Sequence, residues 1–152
     1  MAPSSAYRAP GWLTQRVFNR LVARLTTAGV SVLGSRVLEV RGRVSGQPRR
    51  TPVNLLEHGS RHYLVAPRGE TQWVRNLRAA DGQLVLVLGR RRDSWRATEL
   101  VGDERVAVVR AYLTRWRWEV GTFFGGVGPR SDEDALRAEA SAHPTFLLTP
   151  AP

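Results

Sequence analysis

The segment from Gly42 to Pro52 contains the residues best suited to binding an anion. Its sequence is GRVSGQPRRTP, in which two glycines permit a tight connection between strands and Ser45 adds a hydroxyl to the backbone N–H groups. Arg49 and Arg50 follow at the start of the next predicted strand. Together, N–H groups, a hydroxyl and guanidinium groups form a good cradle for a phosphate. An exposed hairpin with solvated arginines explains the same residues, so both interpretations stay open for this segment alone.

A second cluster follows a predicted buried strand and leads into a short predicted helix, with the sequence APRGETQWVRNL over residues 66–77. The N-terminus of a helix binds anions because its first N–H groups have no partner within the helix. Arg75 and Asn76 could place a guanidinium and an amide beside a bound ring, whereas a tryptophan such as Trp73 is more typical of a core. The cluster is therefore a second candidate binding segment.

Other catalytic and metal-binding patterns find little support in the sequence. The absence of cysteine excludes disulfides, thiol catalysis and cysteine-ligated metal. His58 and His62 have a spacing that suits zinc on a helix, but Gly59-Ser60 between them predicts a turn. There is no G-x-S-x-G elbow, Walker loop or G-x-G-x-x-G motif. The acidic residues 132–134 lie where a helix N-terminus favours negative charge. We therefore expect neither hydrolytic machinery nor a metal site.

The elements that hold both clusters are predicted to be short strands and peripheral helices. Strands are predicted over 37–40, 51–57, 62–66, 84–88, 95–101 and 145–149, with a hairpin at Gly59-Ser60 and a turn over 89–93. Five or six strands joined by antiparallel hairpins are typical of a small barrel of the α+β class. We expect residues 12–152 to form this single domain.

Three helices are predicted after residue 70. The first covers 72–79 and is capped by Thr71, and the second is capped by Asp103. The apolar spacing of the second helix predicts a buried stripe of Val106, Val109, Leu113 and Trp116. Ser131-x-x-Asp134 resembles a capping box that opens the third helix, which ends before Pro144.

The N-terminal residues give two further predictions. Residues 1–11 are rich in Pro, Ser and Ala and are expected to form a flexible arm. Over residues 12–28, apolar residues recur every four positions and arginines line an adjoining face, which predicts an amphipathic helix. This helix either packs on the domain or makes peripheral contact with an anionic membrane surface. The N-terminus lacks a signal peptide's long apolar core, so we expect a cytoplasmic protein, or one at the inner face of the membrane.

The charge balance indicates an acidic partner. All 23 basic residues are arginine, and the formal net charge is +10. Nucleic acid, a membrane surface and an anionic small molecule are the three candidate partners. The run over residues 90–92 favours nucleic acid, but the aromatic residues are not interleaved with arginines as a stacking platform requires. We therefore expect a small anionic molecule and no nucleic acid, with nucleic-acid binding kept as an alternative.

In this order, the segments GRVSGQPRRTP, YLVAPRGETQWVRNLRA, a buried strand and a terminal FLLTP resemble the deazaflavin (coenzyme F-420)-dependent nitroreductase family. The resemblance spans roughly residues 35–149. It implies a split β-barrel, related to barrels that bind flavin mononucleotide, with about six mainly antiparallel strands and peripheral helices. It also implies hydride transfer from the reduced coenzyme to a quinone, a nitroaromatic or an activated enone. A barrel that uses flavin mononucleotide is the alternative, and related barrels often form homodimers.

The resemblance also implies which residues contact the coenzyme. Matched by position, the coenzyme-binding residues are Val44, Ser45, Gly46, Arg50, Thr51, Pro52, Val53, Ala66, Pro67, Arg68, Gly69, Trp73, Val74, Arg75, Asn76 and Leu77. No catalytic side chain is implied, because the coenzyme itself carries the hydride.

The substrate side departs from the family pattern. The loop before Trp73 is shorter than usual, and Val74-Arg75 stands where the family has Tyr-His. The family's substrate-side tyrosines are not plainly matched. Aromatic residues of the corresponding stretch are expected to cover the acceptor instead, and they are Trp116, Trp118, Phe123 and Phe124.

Overall fold

Seven strands form one antiparallel sheet in the computed structural model, which describes residues 34–152. The strands are β1 (Ser35–Arg41), β2 (Pro48–Asn54), β3 (Leu56–His58), β4 (Arg61–Val65), β5 (Gln83–Leu88), β6 (Arg91–Glu99) and β7 (Thr145–Pro150). Their order in the sheet is β2-β1-β5-β6-β7-β4-β3. The sheet curls into a half-barrel, which confirms the predicted α+β split barrel.

Residues 34–152 also form three α-helices and one short 3-10 helix. They are α1 (Gln72–Ala79), α2 (Gly102–Val120), the 3-10 helix (Gly121–Phe123) and α3 (Glu133–Ala140). The first of them follows β4, and the other three lie between β6 and β7. Helices therefore cover the sheet from two separate insertions in the chain.

Two hydrophobic cores lie on opposite faces of the sheet. In the first, Leu38 and Leu86 face the interior of the barrel and pack with Val74 and Leu77 of α1. Neighbouring strand residues point the other way because side chains alternate along a strand. In the second core, α2 and α3 pack on the outer side of β4, around Tyr63. The predicted stripe on α2 is buried in this second core, as the apolar spacing of that helix requires.

The strand count differs from the prediction of about six for a local reason. The predicted strand over 51–57 divides at Leu55, because β2 pairs with β1 whereas β3 pairs with β4. One continuous stretch of chain thus passes from one edge of the sheet to the other. The predicted hairpin at Gly59-Ser60 is confirmed, and both residues adopt positive φ values of 57° and 65°, as a two-residue turn of this kind demands.

The turn predicted over 89–93 is shorter in the structure. The sixth strand begins at Arg91, so only Gly89 and Arg90 connect β5 to β6. Gly89 has φ 62°, a conformation that glycine adopts without steric cost.

Two predicted helix caps are corrected by the structure. Val101 is the N-cap of α2, and Asp103 lies within the first turn, where its charge still suits the helix dipole. The N-cap of α3 is Asp132, whose carboxylate accepts a hydrogen bond from the Ala135 N–H at 2.8 Å. Ser131 instead accepts a hydrogen bond from the Gly128 N–H. Neighbouring polar residues compete for a cap, and spacing alone does not decide between them.

The predicted arm over 1–11 and the predicted helix over 12–28 lie outside the described residues. Within residues 34–152, no helix is both long enough and apolar enough to cross a bilayer.

Candidate coenzyme site

The topology brings the two candidate binding segments to the same end of the sheet. Strands β5, β6 and β7 separate β1 from β4, and each neighbouring pair is antiparallel. Strands β1 and β4 therefore run in the same direction, and the turns that follow them lie at one end. We call residues 42–47 the β1–β2 turn and residues 66–70 the β4–α1 turn.

A side chain of α1 anchors the β1–β2 turn. The Oδ1 atom of Asn76 accepts hydrogen bonds from the Arg43 backbone N–H at 3.1 Å and from Arg43 Nη1 at 2.8 Å. Asn76 is buried, whereas Arg43 is exposed. The contact fixes the first arginine of the turn against the helix that carries the second cluster. Asn76, predicted to contact the coenzyme, thus also holds the two clusters together.

The β1–β2 turn is closed mainly by its own hydrogen bonds. The Gly42 N–H donates to the Gln47 carbonyl at 2.8 Å, and the Ser45 Oγ accepts from the Gln47 N–H at 3.2 Å. A Cβ at Gly42 would lie 2.6 Å from that Oγ, so the close approach requires glycine. Gly46 has φ 72°, and Val44 at the tip is 92% exposed. These hydrogen bonds pair polar groups within the turn, and the side chain of Val44 at its tip faces solvent.

Alternation along β2 separates the predicted contacts into two sets. Arg49 is paired with Val40, whose side chain faces the barrel core, so Arg49 lies on the same face of the sheet as α1. Thr51 and Val53 share that face. Arg50 and Pro52 lie on the opposite face. Of these two arginines, only Arg49 lies on the face of the sheet that carries the second cluster, and the coenzyme contact of Arg50 stays a prediction.

Arg50 has a structural partner on the outer face of the sheet. Its Nε donates to Glu39 Oε2 at 3.0 Å, and Arg92 Nη2 donates to the other oxygen of the same carboxylate at 2.7 Å. The hydrogen bond from Arg92, followed by that from Arg50, holds the pKa of the Glu39 carboxyl below its ordinary value. The carboxylate thus pairs with two of the arginines that made the sequence look strongly basic.

Groups from distant parts of the chain hold the β4–α1 turn. The Ala66 N–H donates to the Pro144 carbonyl at 2.8 Å, and the Gly69 N–H donates to the Ala66 carbonyl at 3.1 Å. Pro67 and Arg68 occupy the two central positions of this turn. The Arg68 guanidinium lies over the ring of Phe123, 5.2 Å from its centroid. Ala66 and Gly69 are buried, so this turn has little room to move.

Thr71 provides an unsatisfied polar atom at the start of α1. It occupies the N-cap position, as predicted, but its side chain makes no capping hydrogen bond. Within residues 34–152, its Oγ1 is one of two buried side-chain polar atoms without a partner, the other being Trp95 Nε1. A buried hydroxyl of this kind costs free energy unless a ligand or water pairs with it. Thr71 thus leaves one polar atom unpaired next to the β4–α1 turn.

Helix α1 contributes packing more than exposed contacts. Val74 and Leu77 are fully buried in the barrel core, and Trp73 is 9% exposed. Arg75 is exposed beside them. The structure brings these four predicted residues to the site, but mainly Arg75 and the edge of Trp73 are accessible to a ligand.

The four predicted substrate-side aromatic residues do not lie together. Trp116 and Phe124 are fully buried in the second core, whereas Trp118 is 69% exposed. Phe123 is half-buried and contacts Arg68 of the β4–α1 turn. Burial of Trp116 and Phe124 leaves them no accessible surface for an acceptor, whereas Phe123 and Trp118 keep accessible surface.

Sequence reasoning missed one buried polar residue next to the site. His143 is completely buried and contacts the Ala66 carbonyl through Nδ1 at 3.1 Å. It immediately precedes Pro144 and β7, and no motif distinguishes it. His143 and Ala66 are 77 residues apart in the sequence, and only the fold brings them into contact.

Comparison with known proteins identifies the ligand that this geometry suits. A family model described as "F420H(2)-dependent quinone reductase" matches residues 11–118. The chain belongs to this family. Its members are oxidoreductases that depend on the reduced coenzyme, so coenzyme F-420 is the cofactor of this protein. No curated protein matches the sequence significantly.

Solved structures support the fold of the family. The chain is similar to an F420-H2 dependent reductase (FDR-A), with 21% identity and a TM-score of 0.53, covering 80% of this chain and 100% of that one. A structure described as a domain-swapped dimer has 20% identity and a TM-score of 0.54, covering 91% and 97%. A conserved hypothetical protein from Mycobacterium tuberculosis has 15% identity and a TM-score of 0.51, covering 88% and 79%. At these identities the likeness concerns the fold alone.

Proposed function

We propose that this reductase transfers a hydride to a quinone, and that the reduced coenzyme binds between the β1–β2 turn, the β4–α1 turn and α1. The family match supports a coenzyme F-420-dependent reductase, and its description supports a quinone as the acceptor. The main observation behind the proposed binding site is the hydrogen bond between Arg43 and Asn76. It connects the two candidate segments through the guanidinium of Arg43.

The charges at this end of the sheet support binding of the coenzyme's anionic tail, which carries a phosphate and glutamate residues. Arg43 is exposed and donates to Asn76 through Nη1 and its backbone N–H. Arg49 projects from the same face of β2, and Arg75 is exposed on α1. Guanidinium groups bind phosphate and carboxylate through charge-assisted hydrogen bonds. The N–H groups of Gly42, Arg43, Gly46 and Gln47 donate within the protein, so the backbone donors that the turn adds for a ligand are those of Val44 and Ser45.

The bound coenzyme supplies the hydride, and the protein contributes binding and orientation. Gly69, with φ 82°, permits a sharp turn beside the proposed ring site. The Thr71 hydroxyl at the start of α1 is buried and has no partner within the described residues, and a ligand or water that reached it would complete its hydrogen bonding. Phe123, beside Arg68, is the aromatic residue best situated to contact an acceptor.

A fluorescence titration with coenzyme F-420 tests the binding site. We expect Arg43→Ala and Arg49→Ala each to weaken binding about tenfold or more, the effect of losing one charge-assisted hydrogen bond. Arg90→Ala is the matched control, since it removes the same charge from the β5–β6 turn at the other end of the sheet. Equal weakening in all three variants would indicate a general charge effect and contradict the proposed site.

An acceptor screen tests the substrate. We expect a quinone to be reduced with a higher kcat/KM than a nitroaromatic or an activated enone. Phe123→Ala should raise the KM for the quinone more than the affinity for the coenzyme changes, with Trp118→Ala as the exposed aromatic control. A strong preference for the nitroaromatic would overturn the assignment of the acceptor without affecting that of the coenzyme.

Two assembly proposals accompany the proposed activity. A structural neighbour is described as a domain-swapped dimer, and we propose a homodimer for this protein, to be tested by light scattering.

Because many quinones partition into membranes, we also propose that residues 12–28 contact anionic lipid. Deletion of residues 1–28 should then lower association with anionic liposomes more than it lowers coenzyme affinity, and unchanged association would contradict it.

A further inference from the structure

Three side chains in contact with one another lie behind the β4–α1 turn, and two of them, Phe124 and His143, are completely buried. The ring of Phe124 stacks on the ring of His143, with centroids 4.0 Å apart and planes inclined by 16°. His143 Nδ1 lies 3.1 Å from the Ala66 carbonyl oxygen, and its Nε2 lies 2.9 Å from Glu139 Oε1. Each atom of the imidazole that can form a hydrogen bond is therefore engaged.

The partners determine where the protons of His143 lie. A carbonyl oxygen can only accept, so Nδ1 must carry a hydrogen and donate it to Ala66. One more proton lies between Nε2 and the Glu139 carboxyl, since two acceptors would repel each other at 2.9 Å. Glu139 thus fixes the orientation of the His143 ring through Nε2, while Nδ1 of the same ring holds the β4–α1 turn. A carboxylate hydrogen-bonded to one ring nitrogen commonly orients a histidine in this way.

The Ala66 carbonyl is the point where these three side chains meet the turn. It accepts from His143 Nδ1 and also from the Gly69 N–H, which closes the turn. Phe123, next to Phe124 in the chain, contacts Arg68 at the centre of the same turn. Phe123 therefore supports the β4–α1 turn directly, and Phe124 supports it through His143.

We propose that His143 is a positioning residue, which sets the geometry of the β4–α1 turn for the coenzyme through its hydrogen bond to the Ala66 carbonyl. This inference rests on the proposed coenzyme site. His143 itself is completely buried, so it acts through the turn and not by touching the coenzyme. Its effect should consequently appear in coenzyme affinity and in the protection of the turn's amides.

Two substitutions at His143 separate its hydrogen bond from its ring. In His143→Asn, the amide nitrogen occupies the place of Nδ1 and can still donate to Ala66. In His143→Gln, the amide lies at the place of Nε2, so the bond to Glu139 is kept and the bond to Ala66 is lost. Both variants lose the stacking on Phe124, and each is therefore the control for the other.

The test measures the Kd for coenzyme F-420 by fluorescence and the hydrogen exchange of residues 66–71 in the coenzyme-free protein. We expect His143→Gln to raise the Kd about tenfold over His143→Asn and to speed exchange by a similar factor, the effect of one hydrogen bond. Glu139→Gln, which can still pair with Nε2, should leave both values near those of the wild type. Equal values in the two His143 variants would overturn the proposal, as would faster exchange with no change in Kd.

A measurement on the unaltered protein guards against variants that do not fold. The nitrogen NMR spectrum of His143 should show a protonated Nδ1 in the wild-type protein, and an unprotonated Nδ1 would overturn the proposal. Failure of the coenzyme site itself has a different signature. In that case Arg43→Ala leaves the Kd unchanged, whereas the exchange rates still distinguish the two His143 variants.

Discussion

The β1–β2 turn and the β4–α1 turn border the proposed coenzyme site but are held in opposite ways. The first is exposed, closes on itself through Gly42 and Ser45, and has Asn76 as its anchor outside the turn. In the second, Ala66 and Gly69 are buried, and Pro144 and His143 hold the turn from a distant part of the chain. A turn that closes on itself can offer N–H groups to an anion, whereas a turn fixed by the core can hold a ring in one orientation. We therefore expect the first turn to affect coenzyme affinity through direct contacts and the second to affect it through the geometry of the site.

The largest effect is expected from Phe124→Ala, which removes the support of the β4–α1 turn. Phe124 is fully buried between Tyr112 and His143, and such a truncation costs about 3–5 kcal/mol of unfolding free energy. Urea denaturation measures this loss. Phe123→Ala is the control, since its ring is only half-buried, and it should cost less. A similar cost for both would mean that the β4–α1 turn does not depend on the second core.

A smaller effect is expected from Asn76→Ala, which releases the anchor of the β1–β2 turn. The substitution removes the acceptor of two hydrogen bonds from Arg43, at a cost of about 1–3 kcal/mol. Denaturation should show this loss, and exchange of the Arg43 amide should quicken. Asn76→Asp keeps an acceptor oxygen and should preserve most of the protection. If Asn76→Ala leaves the exchange of residues 42–47 unchanged, the hydrogen bonds within the β1–β2 turn are enough to hold it. The two turns would then differ even more in how they are held.

The smallest effect is expected from Glu70→Gln at the exposed end of the β4–α1 turn. Glu70 pairs with Arg78 at 2.8 Å, but both side chains are well exposed, and such pairs contribute below about 1 kcal/mol. The hydrogen bond from Arg78 lowers the pKa of the Glu70 carboxyl. The stability difference between wild type and variant should therefore be present above the ordinary pKa of glutamate and disappear as the pH falls below it. Denaturation at several pH values measures it, and a difference that grows in acid would contradict the assignment.

Much of the fold could be predicted because it depends on local patterns. Alternating residues and the Gly59-Ser60 turn predict the β3–β4 hairpin, and the spacing of Val106, Val109 and Leu113 predicts the buried face of α2. The division of the second strand at Leu55 could not be predicted, since it depends on which neighbours the two halves pair with. Whether Asp132 or Ser131 caps α3 also depends on the path of the chain before the helix.

The candidate site was predictable to the extent that its residues are neighbours in sequence. Both turns were identified from glycines, arginines and a helix start. Choosing between Arg49 and Arg50 requires the register of β2 against β1, because one residue of shift exchanges the two faces of a strand. The family resemblance places Phe124 on the acceptor side, whereas packing between distant elements buries it in the second core. His143 gives no local signal, since its partners lie on a strand end and a helix.

The position of β2 at one edge of the sheet affects whether another chain can add a strand to the molecule. Among the described strands, β2 and β3 are the two edges of the sheet. An open edge can pair with another strand and lead to aggregation. Pro48 and Pro52 interrupt the donors along β2, the adjacent arginines repel a second copy of the same edge, and β3 has only three residues. The half-barrel can thus remain open beside its ligand site without offering either edge as a template for strand addition.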